Sequence, residues 1–138
     1  MSSHITDAVV PEGVAGVNPN HQARNRNIRV LDSEACLIEG LRTKLAVVGF
    51  ATSSRDLAPW DDDTYDILGL NALFRFIPRA DFWCDAHENW NEDNPVGVDY
   101  RAGLLACDVP ILMNRTRPEL PTSVRLPIER MIELGSDY

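Results

Sequence analysis

The chain has 138 residues, which is room for one domain of ordinary size. Its composition, 44% hydrophobic and 25% charged, is typical of a globular domain with a soluble surface. The formal net charge of −8 disfavours nucleic acid as a partner, because neutralising phosphates needs a basic face, and it disfavours anionic membrane surfaces for the same reason.

The cysteines and the N-terminus indicate the compartment. Three cysteines without CxxC spacing are typical of reduced thiols rather than of a disulfide framework. No stretch reaches the roughly 20 apolar residues of a membrane span, and the N-terminus lacks the basic region and apolar core of a signal peptide. We therefore predict a cytoplasmic protein with no membrane partner.

The first part of the chain predicts little regular structure. Residues 1–27 are rich in Asn, Pro, Gly and Ser and show no sustained hydrophobic period, so we interpret them as a flexible N-terminal arm ahead of a domain at 28–138. A short helix is predicted in SEACLIEGLR (33–42), where Ser33 is a suitable N-cap. The ordered body is expected to begin near Arg42.

Strands and connections then alternate along the chain. Four strands are predicted, at 44–50, 65–71, 80–87 and 109–114. The predicted connections are a short helical turn that Pro59 ends, a helix or turn at 71–77, a helix at 99–108, and a last helix at 124–135 with Gly135 at its C-cap. This rhythm predicts an α/β fold with a mostly parallel sheet of about four strands. Doubly wound sheets usually have five or six strands, so the chain is either a minimal version or incomplete at its C-terminus.

In a parallel α/β sheet, ligands bind beyond the carboxyl ends of the strands. The first such end is the loop from Gly49 to Ser54, GFATSS. A glycine lets the backbone approach a ligand, and Thr52, Ser53 and Ser54 supply hydroxyl and amide donors for phosphate or sugar oxygens. The loop is neither G-x-G-x-x-G nor Walker A. The alternative interpretation is a strand-end turn with a local hydroxyl cap.

The second strand end is Asn71, in LGLNALF. Its amide both donates and accepts, so it suits the edge of a base or a ribose. The alternative is that Asn71 caps the helix that follows.

The third strand end is CDAHENW (84–90). Asp85 and His87 lie two residues apart and therefore share one face of a strand. A carboxylate–imidazole pair is suited to acid–base catalysis, so these two residues are the candidate catalytic groups. The alternative is a solvent-facing histidine at a strand end. Two ligands do not make a metal site, and neither a metal nor a cofactor is predicted.

Two segments carry a family resemblance, KLAVVGFATSSRDL at 44–57 and YDILGLNALFRF at 65–76. They resemble bacterial CMP-sialic-acid-dependent sialyltransferases and Rossmann-like proteins grouped with archaeal hydroxymethylpterin diphosphokinases. In these families the first strand runs into G-N-G-P-S and the second ends in an Asn followed by a hydrophobic residue. The chain is most similar to a mostly phage-encoded group in which G-F-A-P-S-S-R-D-L-A-P-W is typical. The resemblance covers residues 44–90, and 109–138 loosely.

The resemblance implies a Rossmann-like three-layer fold and a nucleotide-type pocket. In the sialyltransferases the first loop and the Asn hold the cytidine nucleotide, and the positions that match here are Gly49, Ala51, Ser53 and Asn71. Phe50 stands in place of the loop Asn of that family, and Thr52 in place of its Pro. No position matches the family's catalytic His. The resemblance therefore implies a pocket more than a CMP-sugar transferase reaction, and the longer phage proteins imply a truncated chain in the host cytoplasm.

Three functions follow from these observations. The first is binding of a nucleotide or nucleotide sugar at the carboxyl ends of the strands, as the donor-binding half of a glycosyltransferase-like enzyme with Asp85 or His87 as acid or base. The second is a phage protein that sequesters a nucleotide signal without catalysis. The third is a structural or interaction protein, for which self-association as a homo-oligomer is the expected property.

Overall fold

A computed structural model of the chain describes residues 28–90 and 100–136. The predicted flexible arm at 1–27 lies outside these residues. Within the described ranges the protein is α/β, as the sequence predicts.

The centre of the fold is a parallel sheet of five strands in the order β3-β4-β5-β6-β7. The strands are β3 (Lys44–Val48), β4 (Tyr65–Leu70), β5 (Phe82–Cys84), β6 (Ile111–Met113) and β7 (Ser123–Arg125). The expected parallel sheet is confirmed, with five strands rather than about four. The additional strand is β7, which the sequence assigned to the last helix. Pro127 separates the two elements, because proline lacks the N–H that a continuous helix would need.

The helical segments are short. They are α1 (Thr52–Arg55), a 3₁₀ turn (Leu73–Arg75), α2 (Tyr100–Leu105) and α3 (Ile128–Gly135). Helix α3 begins four residues later than predicted and has Pro127 at its N-cap. Gly135 is its last helical residue and Ser136 is the C-cap, so the predicted capping role of Gly135 is wrong.

The segment at 33–42, predicted as a helix, belongs to a β-hairpin instead. Its strands are β1 (Arg29–Asp32) and β2 (Leu37–Glu39), which pair antiparallel. The Asp32 carboxylate accepts hydrogen bonds from the backbone N–H groups of Glu34 at 3.0 Å and Ala35 at 3.2 Å. This side chain competes for the N–H groups that a helix needs at its start, and it folds the chain into a turn. The helix prediction is wrong because Asp32, and not Ser33, accepts from the following backbone N–H groups, and these bonds form a turn instead of a helix start.

The strand order decides which face of the sheet is covered. Crossovers between parallel strands are almost always right-handed, so a sequential order carries successive connections over the same face. The core lies on that face, where Ile67, Trp83 and Ile111 pack with residues of the connections such as Leu73 and Leu104. The opposite face carries the β1–β2 hairpin. The described strands show no reversal of order, which is where a doubly wound sheet forms its ligand crevice.

Candidate site at the carboxyl edge of the sheet

The residues predicted to bind or react follow three neighbouring strands. The Gly49–Ser54 loop follows β3, Asn71 follows β4, and Asp85 and His87 follow β5. The three strands are parallel, so all of these residues lie at one edge of the sheet. Strands in a sheet are about 4.8 Å apart, which puts the ends of β3 and β5 about 10 Å from each other.

The loop after β3 is open to solvent. A Cβ added at Gly49 would meet nothing within 4 Å, and Ala51, Thr52 and Ser53 are exposed. The Ser54 hydroxyl donates to the Ala51 carbonyl at 3.1 Å, which is the local bond that the alternative interpretation of the loop expects. Helix α1 has four residues, so the partial charge at its N-terminus is small. The loop backbone and the Thr52 and Ser53 hydroxyls remain available for a ligand.

A buried arginine lies directly behind this loop. The Arg55 side chain, at the end of α1, is 8% exposed and lines a cavity of about 130 Å³ together with Gly49 and Ser54. Among the described residues, no carboxylate pairs with Arg55, and its Nε has no hydrogen-bond partner. A buried cation without a counter-ion is costly, and an anion in the cavity would offset that cost.

A second arginine shares the aromatic ring that supports Arg55. The Arg55 guanidinium carbon lies 5.3 Å from the centre of the Phe76 ring, and that of Arg75 lies 5.6 Å from it. The Arg75 Nε is also buried without a hydrogen-bond partner among the described residues. Each cation–π contact stabilises its arginine, and the two like charges reinforce the local positive potential on an acidic protein. This part of the edge is suited to an anion.

Sequence reasoning missed both arginines. An arginine that follows two serines is expected to lie on the surface. Phe76 lies 21 positions after Arg55, and no sequence pattern indicates that the two side chains are in contact. The burial of Arg55 comes from tertiary packing. The nearest local feature that accompanies this burial is Trp60. Its indole N–H donates to the Arg55 carbonyl at 3.1 Å and holds the segment from Arg55 to Trp60 against the core.

Asn71 occupies the left-handed backbone region, with φ of 51°. Its N–H donates to the Cys84 carbonyl at 3.1 Å, and its carbonyl accepts from the Trp83 indole at 2.8 Å. The N-cap of the following 3₁₀ turn is Ala72, so Asn71 does not have the capping role that the alternative interpretation assigned to it. Asparagine tolerates this conformation better than most residues. The backbone of Asn71 is therefore held at the edge between the loop and β5.

Asp85 and His87 are in direct contact. Asp85 Oδ1 accepts from the His87 backbone N–H at 2.8 Å and lies 2.8 Å from His87 Nδ1. The Asp85 side chain is fully buried, whereas that of His87 is 60% exposed. Tyr100, the first residue of α2, donates its hydroxyl to Asp85 Oδ2. Burial and this bond raise the pKa of Tyr100 far above its ordinary value, so the phenol stays protonated and remains a donor.

This arrangement leaves one nitrogen of His87 for chemistry. A carboxylate that accepts from Nδ1–H holds the neutral imidazole in the tautomer whose Nε2 carries the lone pair. The His87 side chain is mostly exposed, so a substrate proton can reach Nε2. Sequence reasoning placed Asp85 and His87 together but missed Tyr100, because 13 residues separate it from His87.

Glu88, next to the histidine, is engaged by other side chains. Its carboxylate lies 3.5 Å from the Arg115 guanidinium and 3.7 Å from that of Arg117, and it accepts from Asn114. The Glu88 carbonyl also accepts from Arg117 at 3.1 Å. These contacts tie the segment after β5 to the segment after β6. Glu88 therefore orients the loop that carries His87.

Within residues 28–90 and 100–136, no group of three His, Cys, Asp or Glu side chains is placed to hold a metal ion. No helix in the same ranges is both long and apolar enough to cross a membrane.

The fold and the edge define an α/β protein with a parallel sheet and a candidate site that combines a cationic cavity with a carboxylate–imidazole pair. Comparison with protein-family models, with curated proteins and with solved structures gave no match to this chain. The resemblance to the sialyltransferases and the phage-encoded group therefore stays a prediction from the quoted motifs.

Proposed function

We propose that the protein binds a nucleotide or nucleotide sugar across the carboxyl ends of β3, β4 and β5, with a phosphate at Arg55. The observation that supports this best is the burial of Arg55, without a carboxylate partner among the described residues, in the wall of the cavity beside Gly49. An anion in that cavity would lie beside Arg55, the open Gly49 backbone and Ser54. Arginine is the side chain best suited to phosphate because its fork matches two oxygens.

The size of the cavity limits what it holds. Pockets for whole ligands usually measure about 300–1,000 Å³. The cavity at Arg55 is about 130 Å³, so it accommodates a phosphate group, and the remainder of the ligand lies along the open edge. Asn71 is the next polar group on that edge, and its amide would contact a base or sugar. The span of about 10 Å from β3 to β5 suits a nucleotide sugar better than a single small anion.

His87 would supply the chemistry of a transferase. Nε2 would take the proton of an acceptor hydroxyl while that oxygen forms a bond to the anomeric carbon of the sugar. The bond from this carbon to the phosphate oxygen would break, and the nucleotide would leave with the electron pair, its charge stabilised by Arg55. Asp85 would stabilise the imidazolium. This is the role expected of the donor-binding half of a transferase.

A second candidate is a protein that sequesters a nucleotide signal without turnover. The same loop, Arg55 and Asn71 would bind the ligand, and His87 would have no role. The observation that favours this function is the 60% exposure of the His87 side chain, which is typical of a solvent-facing histidine after a strand.

Thermal unfolding against a panel of nucleotides, nucleotide sugars, cyclic nucleotides and phosphate-free nucleosides tests the proposal. A ligand at about 100 times its Kd stabilises a protein by about 2.7 kcal/mol. We expect a rise in Tm with phosphate-bearing members of the panel and none with the nucleosides. Equal shifts with nucleosides, or no shift with any compound, would overturn the proposal.

The matched variants are Arg55→Met and Arg130→Met. Arg55→Met keeps a long apolar stem against Phe76 and removes the charge, so it is expected to abolish the ligand-dependent shift. Arg130 lies on α3 and pairs with Glu133 at 3.0 Å, so Arg130→Met is expected to keep the shift. Release of nucleotide from a nucleotide sugar that binds then separates the transferase from the sequestering protein.

A further inference from the structure

The two edge strands of the parallel sheet differ in how the chain covers them. β7 forms one edge, and two of its residues, Ser123 and Arg125, direct their N–H groups away from β6. The Ser123 N–H donates to the Leu120 carbonyl at 2.9 Å, and the Arg125 N–H donates to the Ser33 carbonyl at 3.0 Å. The turn of the β1–β2 hairpin and the segment before β7 therefore cover this edge.

β3 forms the other edge, and the hydrogen bonds of β4 show which groups of β3 face outward. The Ile67 carbonyl accepts from the Asp81 N–H at 2.9 Å, and the Ile67 N–H donates to the Asp81 carboxylate at 2.9 Å. Ile67 therefore bonds on the β5 side. Successive residues of a strand bond on alternate sides, so Asp66 and Leu68 bond towards β3.

The register of β3 against β4 then identifies the outward groups. Leu45 lies opposite Asp66, and Val47 lies opposite Leu68. In a parallel pair, a residue that bonds across lies opposite one whose N–H and C=O point away. Leu45 and Val47 therefore present both of their backbone groups at the outer edge. Within residues 28–90 and 100–136, no hydrogen bond reaches these groups.

The side chains of this edge include none of the usual devices against strand pairing. Leu45 and Val47 are 57% and 60% exposed on the second face, and they alternate with Ala46 and Val48. Exposed edge strands are commonly protected by charged residues, by proline or by a bulge. The only charged residue of β3 is Lys44, at its start. The middle of β3 is therefore an open apolar edge in the described part of the chain.

We propose that β3 of one chain pairs antiparallel with β3 of a second copy, about a two-fold axis that passes between the two Ala46 residues. In this register Leu45 of each copy lies opposite Val47 of the other. These are the residues with outward backbone groups, so each pair exchanges two hydrogen bonds. The edge is therefore complementary to itself, as an isologous interface requires. The two five-stranded sheets join into one continuous sheet.

The side chains fit the same register. Leu45 and Val47 of opposite copies contact each other on the second face as an apolar cross-strand pair. The two Ala46 residues form the closer, non-hydrogen-bonded pair, to which a small side chain is suited. The two Lys44 residues lie at opposite ends of the paired strands, about 14 Å apart, which exceeds the Debye length of about 8 Å at physiological ionic strength.

The β1–β2 hairpin does not obstruct this pairing. It lies over the second face of its own sheet, where Leu37 lines a cavity of about 410 Å³ with Phe82 and Leu112. Leu45 borders the same cavity and is still more than half exposed. The two-fold axis is perpendicular to the joined sheet, so each hairpin stays over its own half. The axis also directs the carboxyl edges of the two copies in opposite directions, so the dimer is independent of the proposed ligand site.

Sedimentation equilibrium of the full chain over a wide concentration range tests the dimer. A single strand pair is a small interface, so we expect a weak dimer that forms between micromolar and millimolar concentrations. Leu45→Lys and Val47→Lys are each expected to raise the dissociation constant roughly tenfold or more, because each places a charge in an apolar cross-strand pair. Ile132→Lys is the control, since Ile132 is exposed but lies on α3, after the opposite edge strand. All three positions are exposed, so circular dichroism is expected to show an unchanged fold.

Disulfide cross-linking tests the register. The Cα atoms of a hydrogen-bonded antiparallel pair are about 5.5 Å apart, within the range that a disulfide spans. A mixture of Leu45→Cys and Val47→Cys chains is expected to form a link between positions 45 and 47 of two copies, identified by mass spectrometry. Neither variant alone is expected to link to itself, because equal positions lie two residues apart along the strands and exceed that range.

Amide hydrogen exchange distinguishes edge pairing from other dimers. The N–H groups of Leu45 and Val47 are expected to gain protection as the chain concentration rises, whereas those of Ala46 and Val48 bond to β4 and are protected throughout. A dimer that either lysine variant leaves intact, or that cross-links in another register, would overturn the proposal. A parent chain that stays monomeric at every concentration would overturn it as well. Slow alkylation of Val47→Cys would then assign the edge to another segment of the same chain, and rapid alkylation would assign it to solvent.

Discussion

Trp83 and Asn71 are joined by a hydrogen bond of 2.8 Å from the indole N–H to the backbone carbonyl. Trp83 is fully buried at the centre of the core, and Asn71 lies at the carboxyl edge of the sheet. This bond satisfies the indole donor inside the protein and holds the Asn71 backbone in its left-handed conformation. The core therefore positions one of the candidate ligand-binding residues directly.

Two substitutions at Asn71 distinguish the effect of its left-handed backbone on stability from the effect of its side-chain amide on ligand binding. Glycine adopts positive φ freely, whereas an alanine there costs about 1–2 kcal/mol. We expect Asn71→Gly to keep the Tm close to that of the parent chain and Asn71→Ala to lower it. Both variants are expected to reduce the Tm shift caused by a nucleotide ligand, because both lack the amide. If Asn71→Gly binds like the parent chain, the amide is not part of the site.

Gly69 and Gly49 are expected to respond in opposite ways to a single methyl group. A Cβ at Gly69 would lie 2.3 Å from the buried Trp83 ring, whereas a Cβ at Gly49 would meet nothing within 4 Å. Overpacking a core costs about 1–3 kcal/mol, so Gly69→Ala is expected to lower the free energy of unfolding measured in urea. Gly49→Ala is expected to leave stability unchanged but to weaken the binding of a phosphate-bearing ligand. Normal binding by Gly49→Ala would remove the backbone approach from the proposed site.

Substitutions of His87 and of Asp85 are expected to change the thermal stability of the protein to different extents. His87→Gln changes an exposed side chain, so the Tm is expected to stay within the range of ordinary surface substitutions. Asp85→Asn changes a fully buried acceptor that His87 and Tyr100 share, and is expected to lower the Tm. If the protein turns over a nucleotide sugar, each variant is expected to reduce kcat by about 10²–10⁴ with little change in ligand affinity. Unchanged kcat in His87→Gln would remove it from the mechanism.

The Cys107 thiol is expected to make stability fall in alkali. Burial raises the pKa of Cys107 to about 12, from an ordinary value of 9.0. Because the folded-state pKa is the higher one, its contribution is fully present below pH 9 and is lost as the pH rises from 9 towards 12. Urea unfolding at several pH values is expected to show a smaller alkaline loss in Cys107→Ala than in the parent chain. Equal slopes would contradict the burial of the thiol.

The same thiol gives a second, kinetic test. Only the thiolate is alkylated, so Cys107 in the folded chain is expected to react with iodoacetamide far more slowly than in urea. Cys36 and Cys84 are partly buried, and burial raises the pKa of both thiols as well. All three cysteines are free in the structure, so mass spectrometry can follow each one. Rapid modification of Cys107 under native conditions would show that α2 and its neighbours open readily.

The sequence by itself determined the class of fold and the edge at which the candidate residues lie. The continuous apolar runs at 44–50 and 65–71 identify strands of a parallel sheet. The prediction that 44–50 is a buried strand is wrong for one of its faces, because β3 lies at an edge of the sheet and its Leu45 and Val47 are exposed. Because parallel strands all end at the same edge of the sheet, the residues that follow each run lie at its carboxyl edge. Asp85 and His87 were predicted to meet because two positions along a strand share one face. That reason is wrong, since β5 ends at Cys84. The two side chains meet in the turn after the strand, where the Asp85 carboxylate accepts from the His87 backbone N–H. Apolar runs and the polar residues that follow them are properties of neighbouring positions, so the sequence pattern shows them directly.

Only the tertiary structure decided which charges are buried and which surfaces stay open. The burial of Arg55 against Phe76 and the contact of Tyr100 with Asp85 join residues that are far apart in sequence, and no periodicity signals them. The sequential strand order is equally invisible in the pattern, yet it sends the connections over one face and leaves Leu45 and Val47 exposed on the other. Apolar runs identify the strands, whereas the strand order and the handedness of the crossovers decide which face of the sheet is covered.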